Sequence, residues 1–153
     1  MAGPHPPLTI LWADDDPDDR LLIQEVLAGS RWRHRVRFVE DGEELLEYLC
    51  HRGRYADRRS APRPSLILLD LNMPRRDGRE VLAEIKADPR LRDIPVVVIT
   101  TSRAQEDVDR SYRLGVSSYI TKPASYQELV EMLEVLSRYW GDFVRLPSNE
   151  HGG

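Results

Sequence analysis

The feature that most constrains the fold of this chain is a fivefold alternation between short apolar segments and segments of helical period. The apolar segments are LTILWA, RVRFVE, SLILLDL, PVVVIT and SSYIT. Short strands that alternate with helices form a parallel sheet whose two faces are covered by those helices. We therefore predict an α/β fold with a doubly wound, five-stranded parallel sheet in the strand order 2-1-3-4-5.

The segments between the strands carry helix start and stop signals. Pro17 follows Asp16, and an N-cap aspartate before a proline at the first helical position is a typical helix start. Leu21, Leu22, Ile23 and Val26 should supply the apolar face of this helix, and Gly29 should end it. Capping-box spacing predicts the starts of three later helices, at Asp41 with Glu44, Ser102 with Gln105, and Ser125 with Glu128. Gly53 should end the second helix.

Length and composition limit the class of protein. The chain has 153 residues, which favours one domain, and its net charge of −4 argues against a nucleic-acid binder. A single cysteine, Cys50, permits no internal disulfide, and the four histidines are scattered without metal spacing. No apolar run is long enough to span a bilayer, and MAGPHPP lacks the pattern of a secretory signal. We therefore expect a cytoplasmic protein without membrane contact.

Polar side chains follow four of the five strands. Asp14 and Asp15 follow strand one, Asp70 follows strand three, Thr100 and Thr101 close strand four, and Lys122 with Pro123 follows strand five. Strands one and three are neighbours in the predicted order, so the three carboxylates should converge at one sheet edge. Two such charges 4 Å apart repel by roughly 4 kcal/mol at an effective dielectric of about 20. A hard divalent cation, with Mg²⁺ favoured, and the lysine would offset this repulsion and suit phosphoryl transfer to a carboxylate.

These motifs resemble the receiver domain of two-component response regulators. The resemblance covers residues 8–140 and rests on ADDDP, LLDLNMPRRDG, VVVITTS and SSYITKP, in this order and spacing. It implies a flavodoxin-like (βα)5 receiver fold, preceded by a disordered segment 1–7. Residues 141–153 would then form a partly apolar tail that contributes to an interface and ends in disorder.

The resemblance assigns an acceptor and a metal site. Asp70 would be the phosphoacceptor, and NMP would shape the loop that follows it. Asp15, Asp70 and the backbone carbonyl of Asn72 would hold Mg²⁺, with Asp14 contributing mostly through water.

The resemblance also assigns the residues that respond to the phosphoryl group. Lys122 would pair with it, and Thr100 would donate a hydrogen bond to it. Tyr119 would then move inward and change the surface formed by helix four, strand five and helix five. The Lys122–Pro123 peptide bond would be cis, as it is in such domains.

The implied activity is that of a switch, which catalyses its own phosphorylation and dephosphorylation and is not an enzyme acting on an outside substrate. A sensor histidine kinase is the implied phosphodonor. The ending LSRYWGDFVRLP and the segment ITTSRAQEDVDRSYRLG are similar to single-domain regulators paired with bacterial phytochromes, so the kinase is expected to be a bacteriophytochrome. We expect no output domain, which would leave signalling through protein contact or a role as phosphate shuttle or sink.

Two other classes of protein fit parts of the pattern. A haloacid-dehalogenase-type phosphatase also uses an aspartate after a strand, but its second acid would stand at Asn72. A phosphate-independent interaction module would usually lack one of the acids or the lysine, and this chain keeps all of them. Structural interpretations also exist for single residues, because Tyr119 could simply fill the core and the acidic run from Asp14 could be a capping loop.

Two surfaces outside the sheet edge have a composition that suggests contact with another protein. Helix five has one apolar face at Leu129, Leu133, Leu136 and Trp140, and a second at Met132, Val135 and Tyr139. The second face, with apolar residues of the tail, predicts a homodimer through helices four and five, unless the tail of the same chain covers it. An arginine-rich loop at 52–63 is either a solvated face or a docking surface for an acidic partner.

Overall fold

The computed structural model describes residues 6–148. The expected disorder of segments 1–7 and 148–153 falls mostly outside this range and stays a prediction. The strands are β1 (Thr9–Ala13), β2 (Arg35–Val39), β3 (Leu66–Leu69), β4 (Val96–Thr100) and β5 (Ser118–Thr121). The helices are α1 (Pro17–Ala28), α2 (Gly42–Cys50), α3 (Gly78–Ala87), α4 (Gln105–Leu114) and α5 (Tyr126–Arg138).

The five strands form one parallel sheet in the order β2-β1-β3-β4-β5. The predicted doubly wound fold and strand order are therefore confirmed. Ala13 at the end of β1 pairs with Val39 of β2 on one side and with Leu69 of β3 on the other. This register places the residues that follow β1 and β3 next to each other at the carboxyl edge.

Helices cover both faces of the sheet, so the central strand is buried throughout. All four residues of β3, Leu66–Leu69, have no exposed surface. One face packs against α1 and α5 through Ile23, Val26, Leu129, Leu133 and Leu136. The other face packs against α2 and α3, with Leu114 of α4 at its margin. Full burial of such side chains contributes about 1.5–3 kcal/mol each.

Three of the four predicted helix caps are confirmed. The side chains of Asp16, Asp41 and Ser125 accept hydrogen bonds from backbone N–H groups of the first turn. The predicted cap at Ser102 is wrong, because α4 begins only at Gln105 and its N-cap, Ala104, has no capping side chain. The hydroxyl of Ser102 instead donates to Asp107 at 2.6 Å.

Two helix details differ from the sequence prediction. Leu21 and Leu22 were expected on the buried face of α1, but they are 57% and 36% exposed. The buried residues of α1 are Ile23 and Val26, which contact the sheet. Helix α2 ends at Cys50 because His51 adopts a left-handed conformation (φ 54°), so the chain leaves the helix before Gly53. No helix within residues 6–148 has the length and apolar character that crossing a bilayer requires.

The Lys122–Pro123 peptide bond is trans, so the expectation of a cis bond is wrong for this structure. Trans is the intrinsically favoured isomer of an X–Pro bond, by about 0.5–1 kcal/mol. The backbone N–H of Lys122 still donates to the carbonyl of Thr100 at 2.8 Å, which extends the pairing of β5 with β4 by one residue.

The chain after α5 turns back onto the α1/α5 side of the sheet. A π-helical turn spans Tyr139–Phe143, and Val144 and Leu146 then pack against the core. This return covers only part of the second apolar face of α5, because Val135 and Tyr139 remain 64% and 54% exposed.

Candidate functional site

Three carboxylates meet at the carboxyl edge of the sheet. Asp14 and Asp70 are buried, with 1% and 3% of their surface exposed, whereas Asp15 is exposed. One oxygen of each can be chosen so that all three lie within 4.8 Å of one another. Backbone pairing sets this geometry, since the N–H of Asp70 donates to the carbonyl of Ala13 at 3.0 Å.

The ammonium of Lys122 lies among the carboxylates. Its Nζ is 2.8 Å from Oδ2 of Asp70 and 3.1 Å from Oδ2 of Asp14. It is also 2.8 Å from Oδ2 of Asp19, in the first turn of α1. Burial alone would lower the pKa of Lys122, but the hydrogen bonds to Asp19 and Asp70 and the nearby negative charges raise it above its ordinary value. The site therefore favours the charged form of this lysine.

The second oxygen of Asp70 is held by uncharged donors. Its Oδ1 accepts hydrogen bonds from the hydroxyl of Thr100 at 2.9 Å and from the backbone N–H of Asn72 at 3.0 Å. Thr100 is fully buried and points at Asp70, whereas Thr101 is exposed. Both oxygens of Asp70 thus have fixed donors.

Asn72 and Tyr119 occupy the loops beside this carboxylate. Nδ2 of Asn72 lies 3.4 Å from the hydroxyl oxygens of both Thr100 and Thr101. The metal-ligand role of the Asn72 carbonyl stays a prediction. The hydroxyl of Tyr119 donates to the carbonyl of Ser102 at 2.9 Å, and the partly buried ring packs against the core. Tyr119 is therefore already linked to the β4–α4 loop.

The sequence interpretation missed two residues of the site. Asp19 was not assigned to the site, because an acidic residue in the first turn of a helix is already accounted for by the helix dipole, although the N3 position faces back toward the preceding strand end. Gly78 was not assigned a role in the site either, but a Cβ there would lie 2.4 Å from the carbonyl oxygen of Asp70 and 2.6 Å from Cα of Leu71. Position 78 therefore needs glycine for space, because α3 begins in contact with the backbone that carries Asp70.

A groove of about 170 Å³ leads from solvent to this site. It lies between α1 and the start of α5, and its apolar wall includes Leu22, Tyr126 and Met132. Asp14 and Lys122 line its inner end.

The arginine-rich loop at 52–63 does not line this groove. Two arginines of the loop have partners nearby: Arg54 pairs with Glu44 and Glu47, and Arg63 donates to the carbonyl of Arg90.

The donor set fits a hard divalent cation. Burial raises the pKa of the Asp14 carboxyl, although hydrogen bonds from Asp16 and Lys122 partly oppose this rise. Three converging carboxylates carry more negative charge than one ammonium can balance. A divalent cation with oxygen ligands would balance the remainder, and exposed Asp15 leaves one side open to water.

The fold and the site together define a flavodoxin-like α/β domain with an acidic pocket and a lysine at the carboxyl edge of its sheet. A family model described as the response regulator receiver domain matches residues 10–134. The chain belongs to this family, whose members act in two-component signalling.

Relatives of known name extend the comparison. The chain is 44% identical over 144 residues to the response regulator Rcp1 of Synechocystis sp., covering 94% of this chain and 96% of the relative. The structure is similar to that of the phosphorylated cyanobacterial phytochrome response regulator RcpA, with 47% identity and a TM-score of 0.85, covering 94% of this chain and 100% of RcpA. It is also similar to the Mn²⁺-bound form of Rcp1, with 44% identity and a TM-score of 0.83, covering 93% and 100% of the two chains.

Proposed function

We propose that this chain is a single-domain response regulator that accepts a phosphoryl group on Asp70 from a sensor histidine kinase in a Mg²⁺-dependent reaction. One observation carries the proposal: Asp70 lies 2.8 Å from the ammonium of Lys122 and 2.9 Å from the hydroxyl of Thr100, beside two further carboxylates. A carboxylate held between a cation and a hydroxyl donor is arranged to receive negative charge.

The proposed reaction is a direct transfer. A carboxylate oxygen of Asp70 attacks phosphorus of the phosphohistidine, the P–N bond breaks, and the imidazole nitrogen keeps the electron pair and takes a proton from water. Lys122 and Thr100 direct N–H and O–H donors at the phosphoryl oxygens as charge develops on them. Bound Mg²⁺, held by Asp15, Asp70 and the Asn72 carbonyl with Asp14 acting through water, would neutralise phosphoryl charge.

The phosphoryl group would leave by hydrolysis. Water attacks phosphorus, the bond between phosphorus and the Asp70 oxygen breaks, and inorganic phosphate is released while the carboxylate is restored. Both steps change only this protein and its phosphodonor, so we propose a self-acting switch and not an enzyme with an outside substrate.

The partner we propose is a bacteriophytochrome kinase. The support is the 47% identity of this chain to RcpA, a cyanobacterial phytochrome response regulator. The groove between α1 and α5 has an apolar wall next to Lys122. We propose that a helix of the kinase packs in this groove and presents its phosphohistidine to Asp70. A cytoplasmic location and the absence of nucleic-acid binding belong to the same proposal.

We propose that residues 8–140 form the receiver and that the apolar start of the tail 141–153 completes, with α4 and α5, a homodimer interface. Exposed apolar side chains on α4, α5 and the π-helical turn support it: Tyr112 on α4, Val135 on α5, and Tyr139 and Phe143 in the turn. Tyr119 would link this surface to the site through its hydrogen bond to the β4–α4 loop.

Light scattering tests the dimer. We expect a mass near twice the 17.7 kDa of one chain, and a monomer mass for Val135→Asp. Leu21→Asp places the same charge at a similarly exposed apolar position, on α1, and should remain dimeric. A wild-type mass of 17.7 kDa at every concentration, with and without phosphorylation, would refute the interface.

Intact-mass spectrometry tests the acceptor. The wild type, Asp70→Asn and Asp93→Asn are incubated with acetyl phosphate and Mg²⁺, and again with EDTA. Asp93 is an exposed aspartate before β4 and serves as the matched control. We expect a gain of one phosphoryl group in the wild type and Asp93→Asn, and none in Asp70→Asn or with EDTA. A gain that persists in Asp70→Asn would place the acceptor elsewhere.

A further inference from the structure

The ammonium of Lys122 has no N–H donor to spare. A lysine ammonium carries three N–H groups, and three carboxylate oxygens lie within 3.1 Å of this one. Asp14 and Asp70 are nearly inaccessible, with 2% and 4% of their side-chain surface exposed, whereas 38% of the Asp19 side chain is exposed. Asp19 therefore occupies the donor that faces the opening of the site.

The negative charge of Asp19 is also not needed to balance the charges of the site. One divalent cation and Lys122 together balance the three carboxylates of the proposed metal site, Asp14, Asp15 and Asp70. Asp19 is a fourth negative charge, and it contacts the same lysine at 2.8 Å. A phosphoryl group on Asp70 brings further negative charge and needs a donor from Lys122.

The contact is not a by-product of helix capping. The cap of α1 is the Asp16 carboxylate, which accepts from the backbone N–H groups of Asp18 and Asp19. The side chain of Asp19 is thereby free to reach across to the end of β5. Asp18, one residue earlier in the same turn, carries the same charge near the same helix end, so the two residues differ in their relation to Lys122.

We propose that Asp19 is a positioning residue that competes with the incoming phosphoryl group for the Lys122 ammonium and thereby slows capture of that group from anionic donors. The inference rests on the proposed function of Asp70. Before transfer, Asp19 holds the ammonium toward α1. During transfer, one N–H of Lys122 must leave Asp19 for a phosphoryl oxygen, while the Asp19 carboxylate repels the arriving anion.

The test compares initial rates of phosphorylation by acetyl phosphate for the wild type, Asp19→Asn, Asp19→Glu and the matched control Asp18→Asn. Rates are measured by intact mass at saturating Mg²⁺, after the Mg²⁺ dissociation constant of each variant has been determined, so that metal occupancy is equal. Asp19→Asn keeps the side-chain shape and removes the charge. We expect it to react several-fold faster than the wild type, with Asp18→Asn and Asp19→Glu close to the wild type.

Ionic strength separates this competition from a structural effect. The advantage of Asp19→Asn should shrink between about 0.05 and 0.5 M salt, because exposed charges are screened over shorter distances. A structural effect of the substitution would not follow the salt concentration.

The outcomes distinguish this inference from the proposed function. If the wild type is phosphorylated and Asp19→Asn and Asp18→Asn react at the same rate as the wild type, the role of Asp19 is overturned and Asp70 remains the proposed acceptor. A slower Asp19→Asn would also overturn it, because the carboxylate would then assist capture. Phosphorylation of Asp19→Asn but not of the wild type would support the competition. No phosphorylation of any variant would overturn both proposals.

Discussion

Arg79 in α3 and Asp107 in α4 form a two-point ion pair, in which the Nε–Oδ1 and Nη2–Oδ2 distances are both 2.7 Å. The hydroxyl of Ser102 donates to the same carboxylate, and the carbonyl of Ser102 accepts from Tyr119. One cluster thus joins α3, the β4–α4 loop, the start of α4 and β5. If Thr100 shifts toward a phosphoryl group on Asp70, as the proposed function requires, the β4–α4 loop held by this cluster must move with it.

Replacing Arg79 should loosen the start of α4. We expect Arg79→Ala to lower the free energy of unfolding by about 1–2 kcal/mol, because the two hydrogen bonds to Asp107 and the weaker contacts to Asp77 are lost, and the Asp107 carboxylate then keeps the hydrogen bond from Ser102. Arg79→Lys should recover only part of this loss, because lysine keeps the positive charge but its ammonium cannot make the two-point contact. Urea unfolding measures the effect. Arg113→Ala, an exposed arginine at the other end of α4, should change stability by less than about 0.5 kcal/mol. Equal losses for Arg79→Ala and Arg113→Ala would contradict the prediction.

The same pair predicts an acid-dependent loss of stability. Hydrogen bonds from Arg79 and Ser102 lower the pKa of Asp107 from 3.8 to about 2. The unfolded chain therefore binds a proton at this residue before the folded chain does, so the stabilisation is complete above pH 3.8 and is lost as the pH falls toward 2.

Unfolding free energies of the wild type and Asp107→Asn, measured by urea from neutral pH downward, check this. The wild type should be more stable by a constant amount above the window, and the difference should close within it. A difference that stays constant to the lowest pH at which both proteins fold would rule out the linkage.

Gly78→Ala should damage the site through the backbone. A Cβ at this position would meet the carbonyl oxygen of Asp70 at 2.4 Å and Cα of Leu71 at 2.6 Å, and neither atom can rotate away. We expect a loss of about 1–3 kcal/mol in the free energy of unfolding and slower phosphorylation, because relief of the clash moves Asp70. Gly29→Ala is the control, since its Cβ would make ordinary contacts at 3.7 Å or more. Wild-type stability and phosphorylation in Gly78→Ala would show that the start of α3 yields freely.

The strand order was predictable because each strand is a local apolar pattern and parallel α/β sheets follow few topologies. The same logic correctly brought Asp14, Asp15 and Asp70 to one edge, since it requires only knowledge of where strands end. It could not select between side chains that compete for one partner. Ser102 has the spacing of a capping residue, yet Asp107, held by Arg79 from another helix, takes its hydroxyl.

Asp19 shows the same limit. Within its own segment its charge is fully explained by the start of α1, and only the position of Lys122, a residue 103 positions later, reveals the contact. The predicted burial of Leu21 and Leu22 was wrong for a related reason. A helical apolar stripe predicts which residues share a face, but it does not predict how much of that face the sheet covers.

A buried histidine at the opposite edge of the sheet predicts a second dependence on pH. His34 is 7% exposed, its Nδ1 accepts the backbone N–H of Leu8 at 3.0 Å, and its Nε2 lies 3.4 Å from the hydroxyl of Ser137 in α5. Burial and the positive charge of Arg33 lower the pKa of His34, and Asp142 only partly opposes them. The folded state thus favours the neutral imidazole, whose Nδ1 acts as an acceptor, where β1, β2 and α5 meet.

Stability should therefore fall as the pH drops below the ordinary histidine value of 6.5, because the unfolded chain takes up the proton first and the folded state follows only at lower pH. His34→Asn offers an oxygen to the Leu8 N–H but does not titrate, so the part of the pH dependence that begins near 6.5 should disappear in this variant. Urea unfolding from about pH 8 to about pH 5 measures it. Ser137→Ala leaves the Leu8 contact in place and should keep the wild-type slope. An unchanged slope in His34→Asn would assign the pH dependence to another group.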